Sequence, residues 1–221
     1  MTAINVWKTT REILFFTDGA SWDEECCVTS FGSKVSAFPD VPAVAVGSGC
    51  AATVRFLVNE IVGTASRAGG DFGDVVRNMR EVGRTMSAAH QRRGGLPVPG
   101  EEHATVRIVV GGFEKDRASI YVFKPPDSFE PVRCAEVMQP DLEGASFDAL
   151  AGASGGVLIR RIVRLMEHQR RCACVSGGSV VGGFIEMTKL SIDGCITRQI
   201  VHRWRDRIGE KIGTQPAMAA A

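Results

Sequence analysis

Residues 2–7 and 12–17 are short β-favouring runs separated by Lys8-Thr9-Thr10-Arg11, and a polar break of that length predicts an opening hairpin. Beyond Thr17-Asp18-Gly19-Ala20, segments 26–29 and 34–38 predict two further short strands with a turn at Gly32 between them. Ala43-Val44-Ala45-Val46 reads as a buried strand ending at Gly47-Ser48-Gly49. From Ala51 the period changes: Val54, Leu57, Val58, Ile61, Val62 and Ala65 recur at helical spacing as one buried stripe, which Gly69-Gly70 stops. Asp71 or Asp74 can cap a second helix with Val75, Met79, Val82 and Met86 on one face. After a loop at 96–103, the runs 105–110 and 118–123 predict a second hairpin turning across Gly111-Gly112 and the charged residues that follow. Residues 124–147 read as irregular. Leu158, Ile162, Leu165 and Met166 give a third helical face over 155–170, and 180–190 with 195–204 predict a closing hairpin around Asp193-Gly194.

The order is strands, two helices, strands, a helix, strands, which lacks the strict alternation of a doubly wound parallel sheet. A length of 221 residues predicts one domain, over 1–213, with 214–221 as a loose tail. The composition, 44% hydrophobic and 23% charged, is that of an ordinary globular chain. Lys plus Arg number 26 against 25 acidic residues, so the basic footprint of a nucleic-acid binder is missing. No apolar run approaches the roughly 18–20 residues of a membrane helix, and charges occupy the first sixteen residues where a signal peptide needs its apolar stretch. The expectation is a cytoplasmic protein without nucleic-acid or membrane partners. Seven cysteines, an odd number unevenly spaced, predict reduced and mostly buried thiols. Cys172-Ala-Cys174 has no second pair at zinc-site spacing and the four histidines are scattered, so neither a metal nor a cofactor is expected.

Three constellations compete for the chemistry. Gly47-Ser48-Gly49-Cys50-Ala51-Ala52 has the G-x-G-x-x-A form that presents free backbone N–H groups to a pyrophosphate, but the strand and acidic residue that should follow are replaced by another helix. Gly152-Ala153-Ser154-Gly155-Gly156 matches a G-x-S-x-G elbow with Asp193 and His202 in hydrolase order, yet residues 147–151 make a poor buried strand before it. The third begins at the chain's start. Removal of Met1, favoured before a small residue, would leave Thr2 with a free α-amine, whose reference pKa of about 8 suits it to act as base for its own hydroxyl. Such a pair needs a fixed cation to hold the amine's pKa down and a carboxylate to hold that cation. Lys34 and Asp18 stand at strand ends where both can converge on the first strand's start.

With these residues the chain resembles the proteasome β-subunits and their bacterial heat-shock relative, which are N-terminal-nucleophile (Ntn) hydrolases. The family's threonine is followed after 16 residues by an aspartate in a D-x-x-A-like turn and after 32 by a lysine in a Lys-Val or Lys-Ile pair. Asp18-Gly19-Ala20-Ser21 and Lys34-Val35 stand at those distances from Thr2. The likeness extends over most of the chain: a strand ending in small residues, where Gly49 matches the oxyanion glycine one residue late, paired central helices, Gly111-Gly112, and Ser154-Gly155-Gly156 opening the third helix. It fails at 174–183, where the family carries an aspartate and this chain has none.

The resemblance implies an α+β fold, a four-layer αββα sandwich of two antiparallel sheets flanked by helices. It implies a threonine peptidase or amidohydrolase working through an acyl-enzyme on a peptide or protein substrate. Thr2 would be nucleophile and base, Lys34 held by Asp18 would tune the amine, Gly49 N–H would bind the oxyanion, and Ser154 would bond the amine. A homo-oligomer, ring or stacked, belongs to the same picture. The resemblance equally fits a catalytically idle structural or assembly subunit that keeps Met1. Read without it, Thr2 is a strand residue, Asp18 a turn former, Lys34 a solvated charge, Ser154 a helix cap, and Asp18–Lys34 a structural ion pair.

Overall fold

The apolar runs at 13–16 and 43–46 are continuous rather than alternating because the central strands of the two main sheets are covered on both faces. The computed structural model describes residues 2–49, 51–92, 106–124, 129–142, 147–150, 152–172, 174–175 and 178–213. One antiparallel sheet contains β1 (Ile4–Lys8), β2 (Glu12–Asp18), β10 (Val137–Gln139), β13 (Phe184–Ser191) and β14 (Ile196–Arg203), in the order β10-β1-β2-β13-β14. The other contains β5 (Val35–Ala37), β6 (Ala43–Ser48), β7 (Arg107–Glu114), β8 (Arg117–Phe123) and β9 (Val132–Cys134), in that order. Two small hairpins, β3 (Ala20–Trp22) with β4 (Val28–Phe31) and β11 (Cys174–Val175) with β12 (Gly178–Ser179), stand apart from the main sheets.

Helices α1 (Ala51–Ala68) and α2 (Phe72–Arg92) cover the outer face of the β5–β9 sheet, and α3 (Gly155–Cys172) covers the outer face of the other. This is an α+β sandwich of four layers with three cores. Side chains follow the strand period of two across those layers. Ile13 and Phe15 of β2 enter the central core between the sheets, while Leu14 and Phe16 pack toward α3. Val44 and Val46 of β6 meet them in the central core, while Ala43 and Ala45 face α1 and α2. The helix stripe read from the sequence is the buried one: Leu57, Val58, Ile61 and Ala65 of α1 lie in the outer core with Val75 and Met79 of α2. Asp71 caps α2, its carboxylate accepting from Asp74 N–H at 3.0 Å while Asp74 returns the bond to Asp71 N–H at 2.8 Å.

Three local readings change. Gly111 and Gly112 lie inside β7, and the turn is confined to the charged residues that follow, with Lys115 and Asp116 both at positive φ. The glycines serve packing: a Cβ on Gly111 would come within 2.7 Å of Phe15, and one on Gly112 within 2.3 Å of Phe72. Segments 26–29 and 34–38 do not pair with each other; β4 pairs with β3, and β5 with β6. The stretch 124–147 holds β9 and β10, short edge strands that pair with the preceding β8 and with the distant β1 respectively. Cys50, the 96–103 loop, the Met86 side chain and the 214–221 tail lie outside the described residues.

Candidate functional site

Antiparallel pairing aligns the beginning of one strand with the end of its neighbour, and here it gathers the chemistry at one end of the sandwich. Ile4, opening β1, pairs with Thr17, so Thr2 and Ala3 stand beside Asp18 at the end of β2. In the other sheet Val35 pairs with Val46, so Lys34 before β5 lies level with Gly47, Ser48 and Gly49 at the end of β6. Thr2, Lys34, Gly47 and Gly49 line one cleft of about 590 Å³, with Ser21 and Ser33 on its wall and Arg55 of α1 reaching it from the side.

Asp18 organises this end. Its side chain is fully buried, and a buried carboxylate must be met by donors. Lys34 Nζ lies 3.0 Å from both its oxygens, Ala3 N–H donates to Oδ1 at 2.9 Å, and Gly182 N–H donates to Oδ2 at 3.3 Å. One carboxylate thus ties the lysine to the backbone of the residue after Thr2. The neighbouring Ser33 hydroxyl donates to Glu186 Oε1 at 2.6 Å, which places a second buried carboxylate behind the cleft wall.

Gly49 has φ of +126°, and a Cβ there would approach the Val106 backbone to 3.0 Å, so this turn requires glycine. A Cβ on Gly47 would meet Val54 at 2.1 Å, which lets α1 start directly over the cleft. The Gly47-Ser48-Gly49 turn therefore serves the strand-to-helix junction, and α2 follows α1 where a dinucleotide fold would place a strand.

Ser154 is not drawn into this group. It is exposed at the start of α3, where its carbonyl accepts from Val157 and Leu158, and among the described residues no hydrogen bond joins it to Thr2. The hydrolase-elbow reading also separates in space: a 3₁₀ turn at Phe147–Leu150 precedes the motif, Asp193 caps its own hairpin at Cys195 N–H, and His202 lies 3.5 Å from Glu167. Sequence reasoning missed Ser48 as a side chain. It ends an otherwise apolar buried strand, and its hydroxyl accepts from Thr2 N–H at 3.1 Å and from Gln139 Nε2 at 2.7 Å. Its signal in the sequence is a lone polar residue closing the apolar run Ala43-Val44-Ala45-Val46-Gly47. Burial pushes the Cys26 thiol up from its ordinary value, with Asp23 adding to the rise, which is the behaviour of a core cysteine. Among the described residues no group of three or more His, Cys, Asp or Glu could hold a metal ion, and no helix is long and apolar enough to cross a membrane.

No family model matches the sequence, and neither does any curated protein. Among solved structures the chain is similar to Anbu from Hyphomicrobium sp. strain MC1, determined as a Gly-1 mutant, with a TM-score of 0.68 at 13% identity over 94% of this chain and 89% of that one. Anbu is a bacterial proteasome-like protein of Ntn-hydrolase fold. At that identity the likeness establishes the fold: this chain has the architecture of the Ntn hydrolases.

Proposed function

We propose that the chain is a proteasome-like N-terminal-threonine peptidase or amidohydrolase, competent once Met1 is removed and Thr2 carries a free α-amine. The observation that carries this reading is the double grip of Asp18 on the Lys34 ammonium and the Ala3 amide, beside a cleft that Thr2 lines. A structural ion pair has no need of a cleft, or of a hydroxyl and a backbone nitrogen at its edge.

In the reaction, the α-amine takes the Thr2 hydroxyl proton as the oxygen bonds to an amide carbonyl carbon of the substrate. The nearby Lys34 cation disfavours the ammonium form and keeps the amine available as base near neutral pH. Gly49 N–H donates to the oxyanion. The carbon–nitrogen bond then breaks, the departing nitrogen takes the proton back from the α-ammonium, and an ester to Thr2 remains. Water, deprotonated by the same amine, releases the acid and restores the hydroxyl.

Intact-mass measurement tests the premise: loss of one methionine, with addition of an epoxyketone peptide to Thr2, is the expected result. Thr2→Ala abolishes hydrolysis of fluorogenic peptide amides while native mass, expected to be that of a homo-oligomer, stays unchanged. The exposed position of Ser154 favours a second reading, an idle Ntn-fold assembly subunit. Retention of Met1 in every preparation, with no adduct, selects that reading.

A further inference from the structure

We propose that Ser48, held by Gln139, is the positioning residue for the Thr2 amine, in the place that the family resemblance assigns to Ser154. The inference rests on the hydrolase reading above and deepens it by naming what holds the base.

Three chain segments converge on the Thr2 nitrogen. Thr2 precedes β1, Ser48 ends β6 in the opposite sheet, and Gln139 ends β10, where it pairs with Ile4. Thr2 N–H donates to Ser48 Oγ at 3.1 Å, and Gln139 Nε2 donates to the same oxygen at 2.7 Å. Ser48 is 2% exposed and Gln139 8% exposed, so neither exchanges these partners freely for water. A serine oxygen has two acceptor sites. Gln139 fills one, which leaves the other turned to Thr2 and stops the hydroxyl from rotating away.

Gln139 is itself located by the edge pairing of β10. The next residue, Pro140, accepts through its carbonyl from Gln169 Nε2 of α3 at 3.0 Å, and Gln169 in turn exchanges hydrogen bonds with Asn5 of β1 at 2.8 and 3.0 Å. Gln139 Oε1, by contrast, is buried and has no partner among the described residues. A buried amide that leaves its own oxygen unmatched in order to give its N–H to a serine is a costly arrangement for mere packing, and it makes sense where the serine's direction matters.

On a processed chain the same nitrogen is an amine. An acceptor fixed against it favours the protonated form, opposing the Lys34 cation that favours the neutral one. The amine is poised between the two, and its position beside the Thr2 hydroxyl is set by a bond to a rigid strand end. Ser154 carries no such bond.

The test uses the full chain with Met1 removed, verified by mass, and reads the Thr2 amine directly. Competitive acetylation with isotope-labelled acetic anhydride from about pH 5 to about pH 10, followed on the N-terminal peptide by mass spectrometry, yields its titration. Ser48→Ala is expected to move that titration down by about one pH unit, since the bond that favours the charged form is gone. Ser48→Cys, close in volume and a weak acceptor, shifts it the same way if the alanine variant folds poorly. Gln139→Leu shifts it less, and Ser154→Ala leaves it where it was. Unchanged titration in both Ser48 variants overturns the assignment, as does a shift in Ser154→Ala. Peptide hydrolysis is measured on the same samples. If the amine responds to Ser48 while no peptide amide is cleaved, the positioning role stands and the hydrolase reading falls.

Discussion

Removing the lysine from a fully buried carboxylate leaves a charge that, among the described residues, two backbone N–H groups answer. At Asp18 this makes the ion pair's contribution to stability separable from the part in hydrolysis proposed for it. Lys34→Met should lower unfolding free energy by about 3–5 kcal/mol, the usual cost of an orphaned buried charge. Asp18→Asn in the same chain removes that charge and should recover most of the loss, while hydrolysis stays abolished because the cation beside the amine is still missing. Urea denaturation and a peptide-cleavage assay on both variants check this. Recovery of turnover together with stability would show that the pair only holds the fold. Asp18 and Lys34 stand out in the sequence because their distances from Thr2 match those of the family it resembles. Ser48 shows in the sequence only as a polar residue closing an apolar strand, and its partner, 46 residues away, is not encoded by any local pattern.

Individual elements meet with little clearance, and the two central glycines of β7 set how closely. Gly112 faces Phe72 in the first turn of α2, and Gly111 faces Phe15 across the central core, so the sheet lies close against a layer on either side. Gly112→Ala should cost about 1–3 kcal/mol through overpacking, visible as a lowered urea midpoint. Phe72→Leu added to that variant should restore part of the loss, since it vacates the space the new methyl needs. An unchanged midpoint in the alanine variant would mean that α2 can shift outward at no cost. The capping of α2 could be read in advance because Asp71 and Asp74 are three residues apart in a local motif. β9 and β10 could not, since three-residue edge strands owe their existence to the partners they extend.

Across the whole molecule, the site depends on a clasp between α3 and the segment entering β13. Arg170 Nη1 donates to Asp206 Oδ2 at 2.8 Å and to the Val181 carbonyl at 2.8 Å, and Gly183 N–H donates to Asp206 Oδ2 at 2.7 Å. Between them lies Gly182, whose N–H reaches Asp18. Burial pulls the Asp206 carboxyl upward, but hydrogen bonds from Arg170 and Gly183 outweigh it and hold the group below its ordinary range. A carboxyl lowered in the folded state adds stability above its unfolded pKa of about 3.9 and loses that addition as pH falls through the folded value. Asp206→Asn should therefore be less stable than wild type at neutral pH, with the gap closing below about pH 4. Equal pH dependence of the two denaturation midpoints would remove the clasp from this account. The sequence by itself determined the longer strands, the three helices and their buried stripes, because period is a local property of a chain, and its resemblance to the Ntn hydrolases pointed to Thr2, Asp18 and Lys34 as candidates. Only the tertiary structure decided which strand ends share one end of the sandwich, that Ser48 and Gln139 stand at the Thr2 nitrogen while Ser154 does not, and that Gly111 and Gly112 are points of contact rather than a turn. Those outcomes come from antiparallel pairing and layer packing between segments far apart in the chain, which no local pattern encodes.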